Sequence, residues 1–170
     1  MGREFFVSEW LRARPIAYIA SHTVVVPLIA LVIAACSGDA PDVAALAPFL
    51  ALVYASSVVF EFGRKIRAPA DEQVGVETYS ALWGPRMAAI VWCATLVMTA
   101  LLLVAAVPAV SDHRPIVVLA AMAVATATAL AVRFAVEPTT YTSKWIETLS
   151  GLWLIAAYLA LGIVALGTQR

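Results

Sequence analysis

Residues 85–107 read PRMAAIVWCATLVMTALLLVAAV, and this run decides the fold. It is long enough to cross about 30 Å of hydrocarbon as a helix. Four comparable runs occur at Pro15–Cys36, Ala44–Phe62, Pro115–Phe134 and Leu149–Gly167. None alternates with a period of two, which argues against a transmembrane β-barrel. Backbone groups in lipid must be paired within the protein, which leaves helices. The expected fold is all-α: one polytopic transmembrane helical bundle of five spans, residues 1–170.

Composition supports a membrane class. The chain is 63% hydrophobic and 13% charged, against roughly 25% charged in soluble domains. The net charge is zero, so no electrostatic footprint for nucleic acid is present. Cys36 and Cys93 fall in separate apolar runs and form neither a disulfide framework nor a metal site. The stretch Ile33-Ala34-Ala35-Cys36-Ser37 resembles a lipoprotein cleavage site. The run before it is longer than a usual signal core, and four further spans follow it.

Loop charges set an expected orientation. With a cytoplasmic N-terminus, that side carries Arg3, Arg12, Arg14, Arg64, Lys65, Arg67, Arg86, Arg133 and Lys144. The other side carries Arg114 and Arg170. Such asymmetry places the basic side in the cytoplasm and the C-terminus outside. The expected location is the cytoplasmic membrane of a bacterium. Gly84-Pro85 reads as a helix start, because proline at the first turn loses no needed N–H. Pro27 lies within the first span and should kink it. The Ala- and Thr-rich fourth span can approach its neighbours closely.

Between the second and third spans lies a charged segment, residues 63–84. Its core is RKIRAPADEQVGVETYSALWG, Arg64 to Gly84. Arg64, Lys65 and Arg67 are followed by Asp71, Glu72 and Glu77. Adjacent carboxylates after Pro69 suit Mg²⁺, which keeps waters and takes one or two carboxylates plus phosphate oxygens. The three cations suit phosphate, with arginine favoured for bidentate contact. A solvated loop drawn to anionic headgroups is the plainer reading of the same residues.

Tyr54, Ser57 and Glu61 share one helical face, and Glu61 can reach Arg64 at i+3 and Lys65 at i+4. An ionisable group near hydrocarbon is a functional candidate by default; simple pairing with Lys65 is the alternative. His22, with Tyr18 one turn earlier, is a cavity candidate or a hydrogen-bonded helix partner. The stretch Glu137–Glu147 is expected as the last loop, with Tyr141 and Trp145 as interfacial anchors and Lys144 able to face the polar mouth. No P-loop, G-x-S-x-G, H-E-x-x-H or G-x-G-x-x-G motif is present.

The charged segment resembles the UbiA superfamily of intramembrane prenyltransferases. The resemblance rests on Glu61-Phe62-Gly63-Arg64-Lys65-Ile66-Arg67-Ala68-Pro69, then Asp71-Glu72, Gly75-Val76-Glu77-Thr78-Tyr79-Ser80 and Trp83-Gly84. Arg3-Glu4-Phe5-Phe6-Val7, Trp10-Leu11-Arg12, Arg14-Pro15 and Ser21-His22 extend it towards the N-terminus. It implies helices five to nine of a nine-helix bundle. It also implies Mg²⁺-dependent transfer of a polyprenyl group from prenyl diphosphate to a lipid-soluble acceptor. Asp71 and Glu72 would be the metal-binding and catalytic carboxylates. Arg64, Lys65 and Arg67 would hold diphosphate, with Glu61, Tyr54, Tyr79 and His22 in the cavity.

Two departures accompany the resemblance. The half with the first aspartate-rich motif is expected as an N-terminal part or a separate four-helix chain. The second motif is partial, because Arg67 stands four residues before Asp71 where that family commonly has aspartate. A non-catalytic or degenerate subunit that binds lipid or a partner is one alternative. A small transporter using Glu61 and His22 is another.

Overall fold

The computed structural model describes residues 14–36, 43–106 and 114–167. The resemblance read on residues 3–12, and the readings at Ser37 and Arg170, lie outside them. Helices α1 (Pro15–Thr23), α2 (Val25–Ala35), α3 (Val43–Arg64), α4 (Tyr79–Trp83), α5 (Pro85–Ala106), α6 (Arg114–Val136) and α7 (Thr140–Gly167) follow in order, and the described residues contain no strand. Five helical stretches are long and apolar enough to cross a membrane: Ile16–Ala35, Leu46–Arg64, Pro85–Ala106, Arg114–Val136 and Thr140–Val164. The chain therefore has the architecture of an integral membrane protein.

The first of these stretches breaks between α1 and α2, one turn before Pro27. Proline supplies no N–H for the Thr23 carbonyl, and its ring crowds that carbonyl. The helix is interrupted at Val24, where the sequence leads one to expect a kink.

The second span is the hub. Half of its most apolar window is buried inside the protein, against 11% for the first span. Helix α3 packs against α5 and α7, α6 packs on α5 and α7, and α1 and α2 lean chiefly on α3. The centre holds Leu52, Val59, Trp92, Leu96, Phe134, Ile146, Trp153 and Ala157. In lipid, helices associate through packing and hydrogen bonds rather than through expulsion of water. The α3–α5–α7 junction shows both. The Trp92 indole N–H donates to Ser150 Oγ at 2.8 Å, and that hydroxyl donates to the Ile146 carbonyl at 2.8 Å. Gly63 lies against the same hydroxyl, where a Cβ would fall on Ser150 Oγ and Cβ.

Helix α7 starts earlier than the hydropathy suggested. The expected loop from Glu137 to Glu147 shrinks to Glu137–Thr139, and the fifth span begins at Thr140 instead of Leu149. The cause is local. Pro138 cannot continue α6. Thr139 Oγ1 then accepts the Thr142 N–H at 3.3 Å, and Thr142 Oγ1 accepts the Thr139 N–H at 3.1 Å. This reciprocal pair satisfies two helix-end donors, as a capping box does. Tyr141, Lys144 and Trp145 are therefore helical. The other span ends move by a few residues: α3 runs on to Arg64 and α6 to Val136.

Replacing Gly63 with alanine should cost about 1–3 kcal/mol of stability through overpacking. Alanine at Gly162, where an added Cβ meets nothing within 4 Å, should change stability by less than about 0.5 kcal/mol. Denaturation of both variants in detergent micelles tests this. Equal stability of the two variants would contradict the close approach of α3 and α7.

Candidate functional site

The site lies at the end of the bundle where α3 finishes and α7 begins. Glu61 sits in the last turn of α3 with its side chain 9% exposed. Arg64 Nη2 donates to Glu61 Oε2 at 2.8 Å, and Lys65 Nζ lies 2.8 Å from Oε1. Both predicted pairings, i to i+3 and i to i+4, are formed. Lys65 Nζ also lies 5.0 Å from the centre of the Tyr18 ring and 5.8 Å from that of Tyr79. Tyr18 stacks on His22 with ring centres 5.6 Å apart. The order Glu61, Lys65, Tyr18, His22 thus ties the first span to the second.

Beyond Arg64 the chain folds back on the bundle end. The Tyr79 N–H donates to the Lys65 carbonyl at 3.0 Å, and the Arg67 N–H donates to Ser80 Oγ at 2.9 Å. Ile66 and Ala68 are each 1% exposed. Phe62, Tyr79 and Trp83 form an aromatic cluster with centroids 4.8–5.9 Å apart. A turn from Gln73 to Val76 is closed by a 3.1 Å backbone hydrogen bond. Gly75 takes φ +83° in that turn, a conformation that favours glycine. Helix α4 is capped by Thr78 Oγ1, which accepts the Ala81 N–H at 3.1 Å. The segment is a folded cap rather than a solvated loop.

The cap and α7 enclose an open groove of about 540 Å³. Arg67, Asp71, Glu72 and Thr78 come from the cap, and Ser143 and Lys144 from α7. Glu72 is oriented by Thr78, whose hydroxyl lies 2.6 and 2.7 Å from its two carboxylate oxygens. Arg67 Nη1 lies 3.5 Å from Glu147 Oε2 on α7, a pair open to solvent on both sides. Such an exposed pair is weak, on the order of 0–1 kcal/mol. Arg67 therefore loses little by turning to another partner.

The predicted residues separate into two groups. Arg67, Asp71 and Glu72 line the groove. Arg64, Lys65 and Glu61 form the ion-paired knot beside it, and Tyr79 is buried beneath Lys65. Tyr54 lies two turns deeper on α3, and neither it nor His22 lines the groove. Ser57 is buried with its hydroxyl bonded to the Val53 carbonyl at 2.8 Å. Thr78 and Ser143 were not anticipated as lining residues, nor Glu147 as the partner of Arg67. Thr78 is a helix N-cap, a role its sequence could have suggested. Arg67 and Glu147 are 80 positions apart, and no local pattern signals their meeting.

Asp71 and Glu72 are compatible with Mg²⁺. They are neighbouring carboxylates on one open wall, and such an ion completes its shell with water and phosphate oxygens. Among the described residues no three or more His, Cys, Asp or Glu side chains group to hold a metal by themselves.

Burial pushes the Tyr79 phenol up from its ordinary value, and the Glu61 carboxylate nearby adds to the shift. Below about pH 10 the phenol is protonated in folded and unfolded chains alike, and the stability is fully present. Above that, the unfolded chain releases its proton first, and stability falls as pH rises. The thermal midpoint should therefore drop more steeply above about pH 10 in the natural chain than in Tyr79→Phe. Identical pH profiles for the two would contradict the buried placement of the phenol.

Fold and site together define a polytopic helical membrane protein with a folded, charged cap at one end. No protein-family model, curated protein or solved structure matches the chain.

Proposed function

We propose that the chain is the C-terminal half of a UbiA-like prenyltransferase, which holds a prenyl diphosphate in the groove between the cap and α7. The observation that carries this reading is the meeting of Arg67, Lys144, Asp71 and Glu72 in one groove at the end of apolar spans. A polyprenyl tail would lie along the spans with its diphosphate at the cap. Asp71 and Glu72 would hold Mg²⁺, and Arg67 would hold phosphate oxygens. Mg²⁺ would neutralise charge developing on the leaving diphosphate. Thr78 keeps Glu72 turned towards the groove. The acceptor would be lipid-soluble. A missing N-terminal half or four-helix partner chain would supply the rest of the bundle. In this reading the cap faces the cytoplasm, consistent with the basic residues gathered at that end.

A non-catalytic lipid-binding subunit is the second reading. One observation favours it: Arg64 and Lys65 are committed to Glu61, so two of the three cations expected at phosphate stand beside the groove.

Binding of farnesyl diphosphate to the full purified chain in detergent, with excess Mg²⁺ and then with chelator, tests the reading. Chelation, or Asp71→Asn with Mg²⁺ present, should weaken binding about tenfold or more. Binding that is indifferent to both would overturn the metal–diphosphate assignment and leave the non-catalytic reading.

A further inference from the structure

We propose that Lys144 is a phosphate ligand of the groove, and that it makes the groove select a diphosphate over a monophosphate. The inference rests on the reading above and names a specificity residue for the same site.

The early start of α7 sets the position of Lys144. Because Thr139 and Thr142 cap that helix, Lys144 stands one turn into α7, on the wall that meets the cap. Four other cations at this end have partners. Arg64 and Lys65 bind Glu61, Arg67 reaches Glu147, and Arg133 lies 5.9 Å from the centre of the Tyr141 ring. Lys144 makes no ion pair among the described residues, and it is exposed on the groove. Glu147, which holds Arg67, lies one turn beyond Lys144 on α7. The two cations therefore approach the groove from different walls, Arg67 from the cap and Lys144 from α7.

The charges have a definite logic. The groove carries two carboxylates and two cations, so its formal charges cancel. A bare anion gains little from it. A diphosphate with a bound divalent cation matches it group by group: metal on Asp71 and Glu72, one phosphate on Arg67, the other on Lys144. The first turn of α7 adds partial positive charge on the same side as Lys144. A volume of about 540 Å³ is within the roughly 300–1,000 Å³ range of small-molecule sites, and it leaves room for metal-bound water. A monophosphate engages Arg67 and the metal but leaves Lys144 without a partner.

The test compares farnesyl diphosphate with farnesyl monophosphate on the full chain in detergent with Mg²⁺. The natural chain should prefer the diphosphate by about tenfold or more. Lys144→Gln should bring diphosphate binding down to the monophosphate level and leave monophosphate binding unchanged. Lys144→Arg should restore the preference. A merely structural role would weaken both ligands together, and that result overturns the inference. An unchanged preference in Lys144→Gln also overturns it, while the prenyl diphosphate reading survives. Absence of any diphosphate binding by the natural chain would overturn both. Inorganic pyrophosphate, added as competitor, separates the sources. Displacement at equal concentration identifies a free diphosphate as the ligand recognised, and displacement only at large excess identifies the lipid-linked form.

Discussion

Glu61 at the end of the second span, held between Arg64 and Lys65 at 2.8 Å each, is the interaction on which the polar end depends. A carboxylate this poorly exposed, at the edge of hydrocarbon, is costly without partners. Its two cations come from the next turn of the same chain, so the charge is compensated where the helix stops. Compensation also fixes Lys65, whose carbonyl then receives the Tyr79 N–H and whose ammonium sits among the Tyr18 and Tyr79 rings. The cap folds back from that point, and the groove is the space it leaves against α7.

The apolar part of the structure was legible because its cause is local and repeated. Long apolar runs have few solutions in lipid, and the five spans follow from them. The pairing of Glu61 was legible for the same reason, since i+3 and i+4 spacing is a helical property. The start of α7 is hidden from hydropathy, which is blind to the Thr139–Thr142 cap and makes the polar first turns look like loop. The text Pro138-Thr139-Thr140-Tyr141-Thr142 does contain the capping residues.

The cap's sequence has the look of a charged loop, and its folding depends on contacts that no periodicity reports. Ile66 and Ala68 are apolar residues inside a charged stretch, which was the available sign that part of it is buried. The three basic residues of that stretch looked equivalent. They differ because Arg64 and Lys65 lie within helical reach of Glu61, whereas Arg67 lies past the helix end and faces the groove. Lys144 reaches the same groove from the far side of two spans, so only the packing of α7 brings it there.

The groove exists only because the charged segment is a folded wall and not a solvated connector. Amide hydrogen exchange across residues 65–84, in a lipid nanodisc, tests it most directly. Slow exchange is expected at Arg67, Asp71, Tyr79 and Ala81, whose N–H groups are bonded to Ser80, Ala68, Lys65 and Thr78. Fast exchange is expected at Val74 and Gly75, at the exposed tip of the turn. Uniformly fast exchange through the segment would contradict the folded cap, and with it the groove.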